Sequence, residues 1–416
     1  MRIHKFGGAS IRNPDQIKNL PIILNDTGTE KIFLVVSAIG KTTNLLEKIV
    51  YNYFNNNQEL EPSINELIYF HKKILKELFK SKNHQIFNAV KTIFDESKDF
   101  LKINKSPNYS FVYDQLVPVG ELVATKIICA YLNDNGIKCN WIDSRTLIKT
   151  DSSYRDANVI WDITKKNIDK NINQDILNVS QGFISSNKNN FSTTLGREGS
   201  DYSAAIYAFC LNASSVTIWK DVPGVLNADP RVFKSTTLLE NLSYTEAIEL
   251  AFYGASVIHP RTLQPLQRKE IPLYVKSFLN PKGNGTAISR GVKIKPKVPC
   301  FIVKKNLNFL KLSSLDFSFI VEDNISDIFQ ILHENKMKVD LMQNSAISFS
   351  LCIEDKYDRL KELLSILKAT FKVECINGVN LFTIRHFDKN SEKLILKNNE
   401  LVLEQRSNDV LRLVVK

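Results

Sequence analysis

Residues 32–37 read IFLVVS, an almost continuous apolar run. A strand buried on both faces carries such a run, whereas a strand with one wet face alternates. The run leads into Ser37-Ala38-Ile39-Gly40-Lys41-Thr42-Thr43-Asn44 and then into a helical pattern over about 43–104, where Leu67, Phe70, Ile74, Leu75 and Leu78 recur at three- and four-residue steps. Upstream, residues 2–6 alternate and stop at Gly7-Gly8, a short strand followed by a turn. Downstream, 121–132 reads as an amphipathic helix and 139–143 as a strand. Buried strands are expected at 177–184 and 216–219, with a helix over 201–211 between them. A helix over 245–253 and a strand over 273–278 follow. Strands and helices alternate, so the fold class is α/β, a three-layer sandwich with a mainly parallel central sheet.

The pattern breaks after residue 280. Asn280-Pro281-Lys282-Gly283 and then residues 293–299, with Pro296 and Pro299, read as a boundary and linker. Beyond it, a strand at 307–313, a helix at 325–334, strands at 338–341 and 347–353, a helix at 357–367 and a strand at 372–376 give the order βαββαβ. That is a ferredoxin-like α+β arrangement. A shortened second copy is expected from a strand at 380–386, a brief helix near 392–396 and strands at 400–405 and 410–415. The expected domains are therefore 1–290, 300–378 and 379–416.

A chain of 416 residues fits two to three domains, at roughly 100–200 residues each. Hydrophobic residues at 43% and charged residues at 24% are ordinary globular usage, which excludes collagen-like, disordered and coiled-coil classes. No unbroken apolar run reaches the ~20 residues of a membrane span, so no membrane partner is expected. The net charge of +11 comes from scattered Lys and Arg, which reads as a solvated surface and not as a nucleic-acid site. Cys129, Cys139, Cys210, Cys300, Cys352 and Cys375 are widely spaced, as buried free thiols in a reducing compartment would be. The N-terminus starts a strand at once and has no signal core, so a cytoplasmic location is expected.

Six constellations can carry chemistry. Lys5-Phe6-Gly7-Gly8-Ala9-Ser10 ends a strand, and its glycines let backbone N–H groups approach phosphate oxygens. It lacks the Gly-Lys-Ser/Thr ending of a Walker loop, and a Gly-Gly pair alone is more often a tight turn. The hydroxyls of Thr42 and Thr43 enter a helix, where capping is the usual role and holding a substrate the other. Val119-Gly120-Glu121 starts a helix; Glu121 either answers the macrodipole or takes a substrate ammonium group. Thr194-Leu195-Gly196-Arg197-Glu198-Gly199-Ser200-Asp201 sets a cation between two glycines before a helix start, an anion cradle unless Ser200 or Asp201 merely caps the helix. Trp219-Lys220-Asp221-Val222-Pro223-Gly224, continuing to Asp229-Pro230-Arg231, is a long polar loop fit for a nucleotide. His259, before Pro260, reads as a hydrogen-bonded structural histidine.

Together these place charged, glycine-rich loops at strand ends, where open α/β sheets bind ligands. They supply Lys5, Arg197, Lys220 and Arg231 but no Cys/His metal cluster, no Ser-His-Asp set and no dinucleotide fingerprint. Phosphoryl transfer suits that profile, because positioning and charge neutralisation dominate it. A carboxylate acceptor fits too. Its pKa near ~4 leaves it ionised without a general base, and fixed cations with Mg2+ lower the repulsion between two anions.

The motifs KFGGAS, SAIGKTTNLL, VGELVATK, SQGFISSN, TTLGREGSDYSAA, WKDVPGVLNADPR and SYTEAIELAFYGASVIHPRT, in this order over about residues 1–290, resemble those of the aspartate kinases within the amino acid kinase family. The C-terminal part resembles that family's regulatory ACT domains. The resemblance implies an amino acid kinase-like sandwich and phosphorylation of L-aspartate on its side-chain carboxylate by MgATP, so ATP and Mg2+ are the implied cofactors. It implies that Lys5 neutralises the transferring phosphoryl group and that Asp201 organises this lysine and the loop. Thr43, Glu121, Phe183, Arg197 and Ser200 would hold aspartate, with Glu121 on the ammonium and Arg197 on a carboxylate. Lys5, Phe6, Gly7, Gly8, Lys220, Asp221, Leu226, Arg231, Ser256 and Val257 would line the nucleotide site. No protein-held metal site is implied, and a homodimer through the ACT region is.

The chain departs from the family pattern in places. Ser256 stands where many members carry a phosphate-contacting Lys, Leu226 where many carry Tyr, Ala9 for a common Thr and Ser185 for a common Gly. Lys220, where others have a neutral residue, is expected to compensate in part for Ser256. The segment Val339-Asp340-Leu341-Met342-Gln343-Asn344-Ser345 resembles the effector-binding stretch of feedback-inhibited members, but Ala346 follows where an acidic residue often contacts the effector amine. Whether lysine, threonine or nothing inhibits the protein stays open, as does a purely dimerising role for this region. The chain is expected to lack the homoserine dehydrogenase half of some relatives. The alternatives are a kinase for another amino acid such as glutamate, or a catalytically weak amino-acid-binding regulatory protein.

Overall fold

Strand β1 (Arg2–Phe6) lies between β2 (Ile32–Val36) and β7 (Ser215–Lys220), parallel to both, with Lys5 beside Val35 and Ile218. The other strands of this part of the chain are β3 (Cys139–Ile142), β4 (Leu177–Gln181), β5 (Ile184–Ser186), β6 (Ser192–Thr194), β8 (Asn241–Ser243), β9 (Leu273–Ser277) and β10 (Thr286–Ser289). Eight of them form one sheet in the order β3-β4-β2-β1-β7-β9-β10-β8, parallel throughout except for the β9–β10 pair. The computed structural model describes residues 1–255, 258–316 and 318–416. Its first compact unit takes Met1–Val225, Leu238–Ala251 and the described residues of Ser256–Pro296. The second takes Leu226–Thr237, Phe252–Ala255 and the described residues of Lys297–Lys416.

The apolar run at 32–36 is buried at every position because helices cover both faces of the sheet. Ile32, Leu34 and Val36 join the core cluster formed with the helices Pro14–Thr27, Thr42–Asn55, Leu60–Leu78, Gln85–Ile103 and Val119–Asp134. Phe33 points to the other face, its ring centroid 4.3 Å from that of Tyr207 on the helix Gly199–Leu211. Burying one such side chain contributes roughly 1.5–3 kcal/mol. The fold is thus the expected three-layer α/β sandwich. The stretch Tyr109–Asp134 is long and apolar enough to cross a membrane by length and composition, yet 78% of its apolar window is buried inside the protein. It is in fact two core helices, Tyr109–Leu116 and Val119–Asp134, meeting at Pro118.

The expected strand over 177–184 is two strands in different sheets. The chain turns at Gly182-Phe183, where Phe183 has φ of 70° and Ile184 N–H donates to the Gly182 carbonyl. A side chain at 182 would come within 2.5 Å of Ser200 Cβ, so only glycine lets this turn press on the start of the helix Gly199–Leu211. Strand β5 then pairs with β6 as a separate two-stranded hairpin.

In the second unit the strands are β11 (Cys300–Ser314), β12 (Lys338–Asn344), β13 (Ser348–Glu354), β14 (Phe371–Arg385), β15 (Leu401–Arg406) and β16 (Val410–Val415). They form one antiparallel sheet in the order β12-β13-β11-β14-β16-β15. The helices Glu322–Glu334 and Leu360–Leu367 complete the expected βαββαβ set, and Lys389–Leu396 lies between β14 and β15. β11 and β14 are each 15 residues long and pair along most of their length. Residues 300–304 of β11 pair with the end of β14, and residues 308–314 with its beginning.

Candidate active site

Lys5 is the fourth residue of β1, and its side chain points to the face covered by the helix Gly199–Leu211. Asp201 sits in the first turn of that helix, where the macrodipole favours a carboxylate. The Lys5 Nζ lies 2.5 Å from Asp201 Oδ1, and the Nζ of Lys220, the last residue of β7, lies 3.7 Å from Oδ2. Burial alone would raise the Asp201 carboxyl, but the Lys5 and Lys220 charges outweigh it and hold the group below the usual carboxylate range. Two cations are thus fixed at adjacent strand tips by one shared carboxylate.

Opposite in character is Glu121, in the first turn of the helix Val119–Asp134. Its Oε1 accepts from Ala38 N–H at 3.3 Å, and its buried Oε2 has no hydrogen-bond partner among the described residues. Burial pushes its carboxyl up to about 8, with the backbone bonds opposing. Isolated buried carboxylates are costly, so such an oxygen is a place for a cationic partner.

These groups share one cavity of about 320 Å³, lined by Lys5, Ser37, Thr43, Glu121, Phe183, Gly196, Glu198, Gly199, Ser200, Asp201 and Lys220. Of the expected aspartate-holding residues, Thr43, Glu121, Phe183 and Ser200 line it, and Arg197 is exposed and not among the lining residues. Hydroxyl capping does not explain Thr42 and Thr43: Lys41 is the N-cap of the helix Thr42–Asn55 and makes no side-chain cap. Thr42 is buried instead, its hydroxyl 2.6 Å from the Ile39 carbonyl and 3.3 Å from His71 Nε2, which leaves Thr43 facing the cavity. Neither Ser200 nor Asp201 caps the helix Gly199–Leu211; its N-cap is Glu198 in the left-handed region, φ 53°. Sequence reasoning gave Glu198 no role, yet it lines the cavity and its buried Oε2 has no hydrogen-bond partner among the described residues. Phe183 and Glu198 are both non-glycine residues at positive φ in this wall, a strain that tends to collect at functional sites.

Among the expected nucleotide-site residues, Gly7 opens the 3-10 turn Gly8–Ile11 after β1. A Cβ at Gly8 would lie 3.0 Å from the Gly40 carbonyl, so glycine lets the loops after β1 and β2 meet. Phe6 stacks on Trp219, centroids 5.7 Å apart, and belongs to the core. Asp221 is exposed just beyond β7. Leu226 and Arg231 belong to the second unit, where Arg231 pairs with Asp229 at 2.7 Å. Ser256 and Val257 lie outside the described residues. His259 is structural as expected: its Nδ1 accepts from Arg261 N–H at 3.2 Å and caps the helix Pro260–Arg268.

The model of the amino acid kinase family matches residues 1–277. The chain belongs to the amino acid kinase family. Among similar curated proteins, a bifunctional aspartokinase/homoserine dehydrogenase of Daucus carota is 30% identical over 385 residues, 89% of this chain and 42% of the relative. The corresponding bifunctional protein of Buchnera aphidicola is 30% identical over 415 residues, 92% of this chain and 48% of the relative. The chain thus spans about half the length of these relatives. It covers 86% of the lysine-sensitive aspartokinase 3 of Escherichia coli, with 28% identity over 402 residues and 92% of this chain. The solved structure of E. coli aspartokinase III in complex with lysine and aspartate superposes with a TM-score of 0.83 at 26% identity, covering 100% of this chain and 96% of that one. The structure of the same enzyme with aspartate and ADP gives 0.81, again at 26% identity and with 100% and 96% coverage.

Proposed function

We propose that this amino acid kinase family member is an aspartate kinase, transferring the γ-phosphoryl group of ATP to the side-chain carboxylate of L-aspartate to give 4-phospho-L-aspartate. One observation carries the reading: a single cavity holds two lysines fixed on Asp201 and, separately, a buried carboxylate with an unpartnered oxygen, Glu121. A zwitterionic acceptor matches that polarity. Its ammonium group answers Glu121, and its carboxylates face the cationic side. The likeness to E. coli aspartokinase III, solved with aspartate and with ADP, supports the same assignment.

In this reading the acceptor carboxylate is already ionised, with a pKa near ~4, so the chain need supply no general base. Lys5 stabilises charge on the phosphoryl group in flight, and Asp201 holds Lys5 in place while lowering its cost of burial. Lys220 adds a second cation on the nucleotide side, and Gly7 and Gly8 offer backbone N–H groups to phosphate. Thr43, Phe183, Ser200 and, from its exposed position, Arg197 complete the aspartate site. Asp221, Ser256 and Val257 stay assigned to the nucleotide side, together with the backbone of Phe6, whose ring is buried in the core. The described residues contain no group of three or more His, Cys, Asp or Glu side chains able to hold a metal. Mg2+ would be carried by nucleotide phosphates and water, its common mode with phosphate substrates.

The chain would then comprise a catalytic domain at 1–290, an ACT domain at 300–378 and a shortened second ACT-like unit at 379–416. It would pair as a homodimer through the ACT region and work in the cytoplasm at the first step toward lysine, threonine and methionine. ADP release with ATP and Mg2+ tests the activity, comparing aspartate with glutamate. Turnover with aspartate alone is expected; turnover with glutamate alone, or with neither, would overturn the assignment.

A further inference from the structure

The first unit buries a carboxylate that the proposed chemistry leaves idle. Asp114, on the helix Tyr109–Leu116, is fully buried. Its Oδ2 accepts from Thr194 N–H at 2.9 Å and from Arg155 N–H at 3.0 Å, and its Oδ1 accepts from the Thr194 hydroxyl at 2.8 Å. Thr194 is the last residue of β6, and the chain runs from it directly into Leu195-Gly196-Arg197-Glu198. Gly196, Glu198 and Gly199 line the cavity. Arg155 belongs to the segment that braces the same loop: Ala157 N–H donates to the Thr194 carbonyl at 2.9 Å, and a Cβ at Gly196 would lie 2.5 Å from Asp156 Oδ1. The Arg155 guanidinium in turn lies over the Tyr113 ring, 4.5 Å from its centroid, on the helix that carries Asp114.

We infer that Asp114 is a positioning residue for the amino-acid side of the cavity, holding Thr194 and Arg155 so that the loop 195–199 keeps its shape. A carboxylate accepts only, and three donors converge on it; no neutral side chain of this size offers the same set. Asparagine would turn an NH2 group toward at least one of those donors. Burial of this carboxyl is unfavourable in itself and pushes it up to about 6, with the three hydrogen bonds and Arg155 opposing. An apolar residue would avoid that cost but would leave the Thr194 and Arg155 donors unpaired.

The kinetic part of the test rests on the aspartate kinase reading; hydrogen exchange of the ligand-free protein does not. Exchange of peptides covering 153–158 and 194–201 is compared with a peptide covering β2, for wild type, Asp114→Asn and Thr194→Val. Asp114→Asn is expected to speed exchange in the two loop peptides by on the order of tenfold while β2 is unchanged. The aspartate KM should rise about tenfold, with kcat and the ATP KM within about threefold. Thr194→Val, which removes only the hydroxyl bond, should shift both in the same direction by less, and it decides the matter if Asp114→Asn does not fold. Unchanged loop exchange, or acceleration spread equally to β2, would overturn the inference. If the wild type turns over no aspartate, the assigned activity falls while the exchange data still decide the role of Asp114.

Discussion

Two buried carboxylates, one in each unit, have nearly the same immediate neighbours. Asp201 has Lys5 at 2.5 Å and Lys220 at 3.7 Å; Asp340, on β12, has Lys304 at 2.5 Å and Lys338 at 3.8 Å. Their surroundings differ. Asp201 lies in the first turn of a helix and lines a cavity that also contains Glu121. Asp340 lies within a strand, where its own backbone carbonyl accepts from Arg412. A buried lysine–carboxylate pair is therefore not by itself a sign of catalysis, since such pairs also occur as structural elements of modest net worth. The first pair is distinguished by its cavity, its helix terminus and a neighbouring carboxylate, Glu121, one of whose oxygens has no hydrogen-bond partner among the described residues.

The comparison is broken most directly at the lysines. Lys5→Ala should lower kcat by on the order of 10³, as loss of one transition-state charge contact does; steady-state ADP release measures it, and a drop under about tenfold would remove Lys5 from that role. The next largest effect belongs to Glu121. Glu121→Gln should raise the aspartate KM by on the order of 10², because a buried charge-assisted contact is lost, and leave the ATP KM unchanged.

Glu121 also sets a pH dependence with a definite sign. Its folded-state carboxyl is raised from 4.5 to about 8 by burial, so the folded protein holds this proton more tightly than the unfolded chain. Its stabilising contribution is full below the unfolded value of 4.5 and is lost as pH rises through about 8. Glu121→Gln should thus raise the melting temperature of the ligand-free protein at about pH 8.5 and change it little at about pH 5. An equal shift at both would contradict the buried, unpaired state.

Lys220→Thr should raise the ATP KM by about tenfold; unchanged ATP KM and kcat would end its role as the second cation. The smallest catalytic effect is expected in the other pair. Lys304→Met should leave kcat within about twofold and lower stability by on the order of 2 kcal/mol, since Asp340 loses its nearest partner. A kcat loss like that of Lys5→Ala would erase the distinction between the two pairs.

The sequence was informative where one residue type has one physical use. The apolar run of β2, the glycines after β1 and the Gly-Glu start of the helix Val119–Asp134 were all legible. The hairpin β5–β6 was not, because its short strands, Ile-Ser-Ser and Ser-Thr-Thr, carry no hydrophobic period. The turn at Gly182-Phe183 was hidden inside the stretch LNVSQGFI, which reads as one strand, since a left-handed phenylalanine has no local sequence mark. Strand β10 follows a Pro/Gly-rich stretch that reads as a linker. Asp114 looks like any acid on a short helix, and only residues 41 and 80 positions away in the chain make it a clamp. Glu198 sat inside a motif already assigned to Arg197 and Ser200, and its facing into the cavity depends on backbone geometry alone.

The central claim is that the unpartnered oxygen of Glu121 waits for the ammonium group of the acceptor. Calorimetry of aspartate binding with ADP present, at about pH 7 in buffers of different ionisation enthalpy, reads this without turnover. Because the carboxyl is mostly protonated in the empty site and must be charged against an ammonium ion, about one proton should leave per aspartate bound. The Glu121→Gln protein should release none. Binding by the wild type with no proton released would contradict the account.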